Sequence, residues 1–143
     1  MAKTICKLLG VVFILVGILG FLAPGMLGMH LSLAHNLVHI ISGALALYFG
    51  FAGTLSGARL FCIVFGVVYL LLGIVGFLAG GAGSHTVAGV PTGHHGAGDS
   101  SLLAVLPGSL ELATMDHIVH VLLGIIFLIG GFMTKADLDR AVD

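Results

Sequence analysis

Charge is the scarcest property of this 143-residue chain: five Lys and Arg stand against six Asp and Glu, 8% of all residues, where a soluble domain carries about 25%. That deficit excludes an ordinary soluble enzyme. Five basic residues build no face that could neutralise phosphates, so nucleic acid is a poor partner. No nucleotide-binding glycine loop and no CxxC, HExxH or GxSxG occurs, so signatures of a redox dithiol, a zinc protease and a serine hydrolase are all missing. Cysteine is limited to Cys6 and Cys62.

The remainder is apolar: 59% of residues are hydrophobic, 23 are glycine, and the mean hydropathy is +1.23. Four stretches, Ile5–Leu27, Leu33–Ala52, Leu60–Ala79 and Thr114–Met133, match the ~20 residues a helix needs to cross a ~30 Å bilayer core. The partner these spans imply is the lipid bilayer. Short turns at Gly28–Ser32 and Gly53–Arg59 make consecutive spans antiparallel neighbours, while spans three and four are joined by a longer loop. Lys3, Lys7, Arg59, Lys135 and Arg140 all fall on one side; the other has Asp99, Glu111 and Asp116 as its only charges. Because short basic loops are retained in the cytoplasm, both termini are expected there, in a multi-pass protein of a bacterial inner membrane. Met1–Gly25 also has the outline of a secretory signal, but it lacks a clean small-x-small cleavage site and has an internal twin.

That twin emerges when the chain is slid along itself. An offset of 56 places Cys6–Ala23 on Cys62–Ala79 with 11 of 18 positions identical. An offset of 81 places Val38, His39, Gly43, Leu47, Gly50 and Phe51 on Val119, His120, Gly124, Leu128, Gly131 and Phe132. The expected fold is therefore all-α: an integral membrane four-helix bundle built from two tandem duplicated hairpins, repeat one at 3–55 and repeat two at 59–136. All of 1–143 forms one membrane domain, with an outer Gly- and His-rich loop at 80–111. Two spans per repeat give both copies one orientation and a pseudo-two-fold axis along the membrane normal. Small residues at helical spacing, such as Gly10, Gly17 and Gly20 in span one and Gly66, Gly73 and Gly76 in span three, mark the faces where helices pack.

The chemistry-bearing residues collect on the side away from the basic residues. All eight histidines lie in the outer half or outer loops, and His39 and His120 enter their spans by about six residues, ~9 Å at 1.5 Å per residue. An ionisable group at such depth points to a functional site facing the bundle interior. His35 shares a helix face with His39, and His117 with His120; Asn36 and Asp116 add an amide and a carboxylate at the same level. With spans two and four diagonal, ~11–14 Å apart, four readings fit. The favoured one is a structural polar cluster in which His39, His120, Asn36 and Asp116 satisfy one another. The others are paired ligation of haem, another metallated macrocycle or a pigment by His39 and His120; a divalent metal held by His35, His39, His117 and His120; and a proton or quinone site.

In the outer loop, glycine-rich composition predicts a mobile segment. His85, His94 and His95 read there as exposed polar residues, with loose recruitment of Zn²⁺ or Cu²⁺ the sharper alternative. Leu102–Leu106 is too short to span and reads as interfacial. The two cysteines, at equivalent positions on diagonal spans in a reducing compartment, are expected to lie too far apart to bond.

HNLVHIISG in span two, GARLFCIVFGVVYLLLGIVGF in span three and DHIVHVLLG in span four resemble a family of small four-span bacterial membrane proteins catalogued only as a domain of unknown function. Its Asn-x-x-His-x-x-x-Gly pattern falls on Asn36, His39 and Gly43, and its Asp-Asn-x-x-His-x-x-x-Gly pattern on Asp116, His120 and Gly124, with His117 standing where the family pattern has Asn. The resemblance covers nearly the whole chain and implies the fold and the membrane, but brings no activity with it. Function is accordingly expected to be non-catalytic: a membrane component that assembles with itself or joins a larger complex, the alternative being a haem, metal or pigment binder that uses His39 and His120. A transporter or channel fits less well, since no span carries a charge near its middle or is broken.

Overall fold

A computed structural model of the chain describes residues 1–84, 86–87, 90–91 and 99–135. His85, His94, His95 and Arg140 lie outside the described residues. Four helices, α1 (Ala2–Leu22), α2 (Leu33–Phe51), α3 (Leu55–Ala79) and α4 (Thr114–Phe132), are each long and apolar enough to cross a membrane. The chain is a four-helix membrane bundle. Between α3 and α4 the described residues include five strands: β1 (Gly81–Gly83), β2 (Thr86–Val87), β3 (Val90–Pro91), β4 (Asp99–Leu106) and β5 (Leu110–Leu112).

Helix ends follow local chemistry. α1 stops at Leu22, short of the predicted Leu27, because Pro24 has no N–H and turns the residue before it away from helical backbone; Ala23 leaves the helix at φ −137°. A 3₁₀ turn at Met26–Gly28 follows, with Leu27 at φ 57° and Gly28 at φ 76°. Where the sequence alone suggested Leu60, α3 starts at Leu55, since Thr54 caps it by accepting from the Gly57 N–H at 3.0 Å. Ser32 caps α2 in the same way, accepting from His35 N–H at 3.3 Å. At the corresponding position of α4, Ala113 has no side-chain acceptor. Its own N–H donates to Asp116 Oδ2 at 2.7 Å, the carboxylate half of a capping box.

α1 packs along α2 and α3 along α4, and the contacts recur at the sequence offsets. Gly10 lies against Leu47 and Gly66 against Leu128, so closely that an added Cβ would stand 2.8 and 2.7 Å from the two leucine Cγ atoms. Without a side chain in the way, the backbones approach within van der Waals reach, which is what holds helices together in lipid. Across the hairpins, α1 meets α3 through Ala2, Cys6 and Phe13 on one side and Ala58, Cys62 and Tyr69 on the other, all buried. This corrects the expectation for the cysteines: their Sγ atoms are 3.5 Å apart. Alanine and cysteine are small enough to let α1 and α3 touch across the bundle, making theirs the short diagonal.

Lys3, Lys7 and Arg59 sit at the helix ends nearest those cysteines. Lys7 Nζ lies 4.7 Å above the Phe51 ring at the end of α2, and Arg59 Nε donates to the Gly131 carbonyl at 3.2 Å near the end of α4. The described histidines occupy the other end. There β4 and β5 form a hairpin whose Pro107–Gly108 corner, with Gly108 at φ 75° and Ser109 N–H donating to Leu106 O at 2.9 Å, has the residues of a type II turn. The Leu102–Leu106 run is thus a strand, and Gly81–Gly83, within the segment expected to be mobile, is paired with it: Gly81 opposite Leu102 and Gly83 opposite Asp99. Side chains moor this sheet to the helices. Ser101 Oγ donates to Gly76 O at 2.8 Å, Ser32 Oγ to Ser109 O at 2.6 Å, and Thr114 Oγ1 to the Asp99 carboxylate.

Candidate functional site

The bundle's centre line is aromatic. Phe13 of α1 and Tyr69 of α3, equivalent under the offset of 56, stack at 5.4 Å between ring centroids. Each also contacts a histidine: Phe13 lies 5.5 Å from His39 and Tyr69 5.3 Å from His120, again an equivalent pair. His39 and His120 thus each rest against one of the two stacked rings, both buried.

His35 breaks the symmetry. Its ring stacks on His39 at 4.6 Å and stands 5.9 Å from His120, so it bridges the two. The position equivalent to His35 in the second hairpin is Asp116. His35 Nδ1–H donates to the His30 carbonyl at 2.8 Å, while Asp116 Oδ2 accepts from the His30 N–H at 3.0 Å as well as from Ala113. A carboxylate at the start of α4 thereby fastens the lead-in of α2, joining the hairpins at this end.

Asn36 and His117 form another equivalent pair, and both turn away from the centre. Asn36 Nδ2 donates to Leu31 O at 3.3 Å and its carboxamide rests on Gly20, where no Cβ would fit. His117 rests likewise on Gly76, and its Nε2–H donates to Ser101 O at 2.6 Å. The polar residues thus do not satisfy one another in a closed network as the sequence suggested; their bonds go to backbone groups. Nor do His35, His39, His117 and His120 converge as one ligand set. Among the described residues, no group of three or more His, Cys, Asp or Glu side chains is placed to hold a metal ion. His117 is drawn off by Ser101, on a strand that sequence periodicity did not reveal.

Beside the histidines, between α2 and α3, opens a cavity of about 300 Å³. His35, His39 and His120 line it with Ser42 and Tyr69; Val105 and Leu110 of the β4–β5 hairpin close it from above. Val38 and Val68, both exposed on the lipid-facing surface, form its rim. The Tyr69 hydroxyl is within reach of Ser42. Nδ1 of His39 and Nδ1 of His120 are sealed from the surface without a hydrogen-bond partner. A neutral imidazole carries one N–H, and an orphaned buried N–H is rarer and costlier than an orphaned lone pair, so this packing assigns the proton of each ring to Nε2.

A family model described as a domain of unknown function, DUF4383, matches residues 3–107. The chain belongs to that family. The DUF4383 match takes in α1, α2 and α3 and the strands up to the Pro107 turn, hence His35, His39, Ser42 and Tyr69; His120 on α4 lies beyond it. No curated protein and no solved structure matches the chain. Ser42, Tyr69 and Val105 are the site residues that sequence reasoning missed. For the first two a signal exists: they are polar where their internal equivalents, Leu123 and Phe13, are apolar.

Proposed function

We propose that this DUF4383 protein is a non-catalytic membrane component that holds a small lipid-soluble ligand in the cavity between α2 and α3, with His39 and His120 as its principal polar contacts. The observation that carries the reading is the cavity itself, lined by both histidines and open toward lipid at Val38 and Val68. Membrane cavities with buried polar groups are by default functional. At about 300 Å³ it is at the lower end of the ~300–1,000 Å³ typical of small-molecule sites. That size suits a ring compound better than haem. A tetrapyrrole ligated by both histidines would also have to displace His35, whose ring stands against each of them.

The four basic residues described near the cysteine end support an orientation with that end in the cytoplasm of a bacterial cell. The cavity then opens in the outer leaflet. Holding a ligand without transforming it is the role of an accessory subunit in a larger membrane complex. The test is to purify the full chain from its native membrane and extract it with organic solvent. About one lipophilic molecule per chain is expected by mass spectrometry, and it should be missing from a folded His39→Ala/His120→Ala variant. Retention unchanged in that variant, or nothing retained above bulk lipid, would overturn the reading.

A further inference from the structure

Between the hairpins, the α2–α3 and α1–α4 pairs stand at equivalent places, but a cavity opens beside the first where the second is packed. Ser42 and Tyr69 line that cavity. At the equivalent positions of the second pair stand Leu123 and Phe13, both packed into the hydrophobic core with Leu9 and Val119. Val105, which closes the cavity from above, belongs to the strand insertion that only the second hairpin possesses. At this level of the bundle the internal correspondence is broken in the polar direction on the α2–α3 side.

From this asymmetry we infer that the cavity takes a single neutral, lipid-soluble ring compound bearing carbonyl oxygens, of the quinone class, which enters from the bilayer between Val38 and Val68. The inference rests on the ligand-holding reading and names its ligand. The groups lining the cavity select the class. The wall is almost wholly apolar; His39 and His120, protonated on Nε2, offer N–H donors, and the Ser42–Tyr69 hydroxyl pair keeps one hydrogen to donate. Donors of this kind, buried among valine and leucine, call for acceptor oxygens on an otherwise apolar body, since a buried polar group left unpaired is costly. Among the described residues no Lys or Arg lines the cavity, so nothing there compensates the charge of a fatty acid or lipid phosphate. Two histidines at separate positions on one cavity wall also suit a flat ring with acceptors at separate edges, its tail leaving past Val38 into lipid.

The chain has no tryptophan and two tyrosines, which gives the test its readout. In full-length Tyr48→Phe protein in detergent, excited on the long-wavelength side of phenylalanine absorption, Tyr69 is the sole emitter, and quinones quench tyrosine on contact. Menadione, a methylated naphthoquinone, should quench Tyr69 saturably with one site per chain. Ser42→Leu, which copies Leu123, should weaken binding about tenfold, equivalent to ~1.4 kcal/mol. Excess decalin, a fused-ring hydrocarbon without oxygen, should not displace menadione. If Ser42→Leu fails to fold, Val105→Phe fills the same cavity from the sheet and should weaken binding likewise. Displacement by decalin as effective as by a second quinone would overturn the carbonyl assignment while leaving the ligand-holding reading intact. Quenching that rises linearly and equally in all variants would overturn both.

Discussion

Cys6 and Cys62 point at each other across the bundle, Sγ to Sγ 3.5 Å, and each also reaches the other's neighbour: Cys6 Sγ lies 3.8 Å from Ala58 O and Cys62 Sγ 3.7 Å from Ala2 O. The reciprocity is that of a two-fold relation, with positions 56 apart exchanging partners. Higher in the bundle the same relation stacks Phe13 on Tyr69. Two equivalent pairs at different depths define the line about which the hairpins are arranged, and the cavity lined by His39 and His120 lies to one side of it.

Because the thiols already touch, a membrane-permeant diazene dicarboxamide should oxidise them to an intramolecular Cys6–Cys62 disulfide. The protein loses two hydrogens and the reagent gains them. Peptide mass mapping should find α1 joined to α3 within one chain. Exclusively intermolecular disulfides would contradict the α1–α3 packing, whose sulfurs need to close from 3.5 Å to ~2.05 Å.

Glycine packing makes a graded prediction. Gly76→Ala forces a methyl group into the His117 ring, whereas Gly81→Ala meets nothing within 4 Å. Overpacking of this sort costs about 1–3 kcal/mol. Unfolding in detergent should show that loss for Gly76→Ala and almost none for Gly81→Ala; equal effects would refute the close approach of α3 and α4.

Asp116 accepts two backbone N–H groups, those of His30 and Ala113. Asp116→Ala leaves both buried without an acceptor and should destabilise by about 2–4 kcal/mol. Asp116→Asn keeps an acceptor oxygen and should lose clearly less. If the two variants lost the same amount, the negative charge rather than the acceptor would be what matters.

The His35 ring contacts both His39 and His120, 4.6 Å from one and 5.9 Å from the other. A double-mutant cycle of alanine substitutions at His39 and His120 should give a coupling of about 0.5–1 kcal/mol. In a His35→Ala background it should fall to zero. Full additivity with His35 present would deny the bridge.

Orientation is best read outside the native thiols, which are fully buried. In a Cys6→Ala/Cys62→Ala background, a cysteine placed at exposed Ser100 should react with a membrane-impermeant reagent on intact cells. One placed at Lys135, also exposed, should not. The reverse pattern would invert the proposed topology.

The four spans and the offsets of 56 and 81 were legible because lipid imposes one rule, a long apolar helix, and because glycine positions record where backbones meet. The burial of His39 and His120 was legible for a related reason, as ionisable groups deep in apolar spans. The cysteine contact was not, since composition says which faces are small but not which diagonal of the bundle closes. His117 misled for a different reason: its spacing from His120 places both on one helix face, yet Ser101 lies on a strand inside a glycine-rich segment whose pattern gives no strand period. Ser42 and Tyr69 were visible only as departures from their internal equivalents.

The claim that matters most is that the ligand site is one-sided, between α2 and α3, although the helices are arranged in equivalent pairs. A lipophilic quinone carrying a photoreactive diazirine, activated in membranes containing the full-length protein and mapped by peptide mass spectrometry, tests it directly. Cross-links are predicted to concentrate on 38–42 of α2 and 65–72 of α3 and to be competed away by unlabelled quinone. Label spread evenly over the lipid-facing residues of all four helices, or concentrated between α1 and α4, would contradict the account.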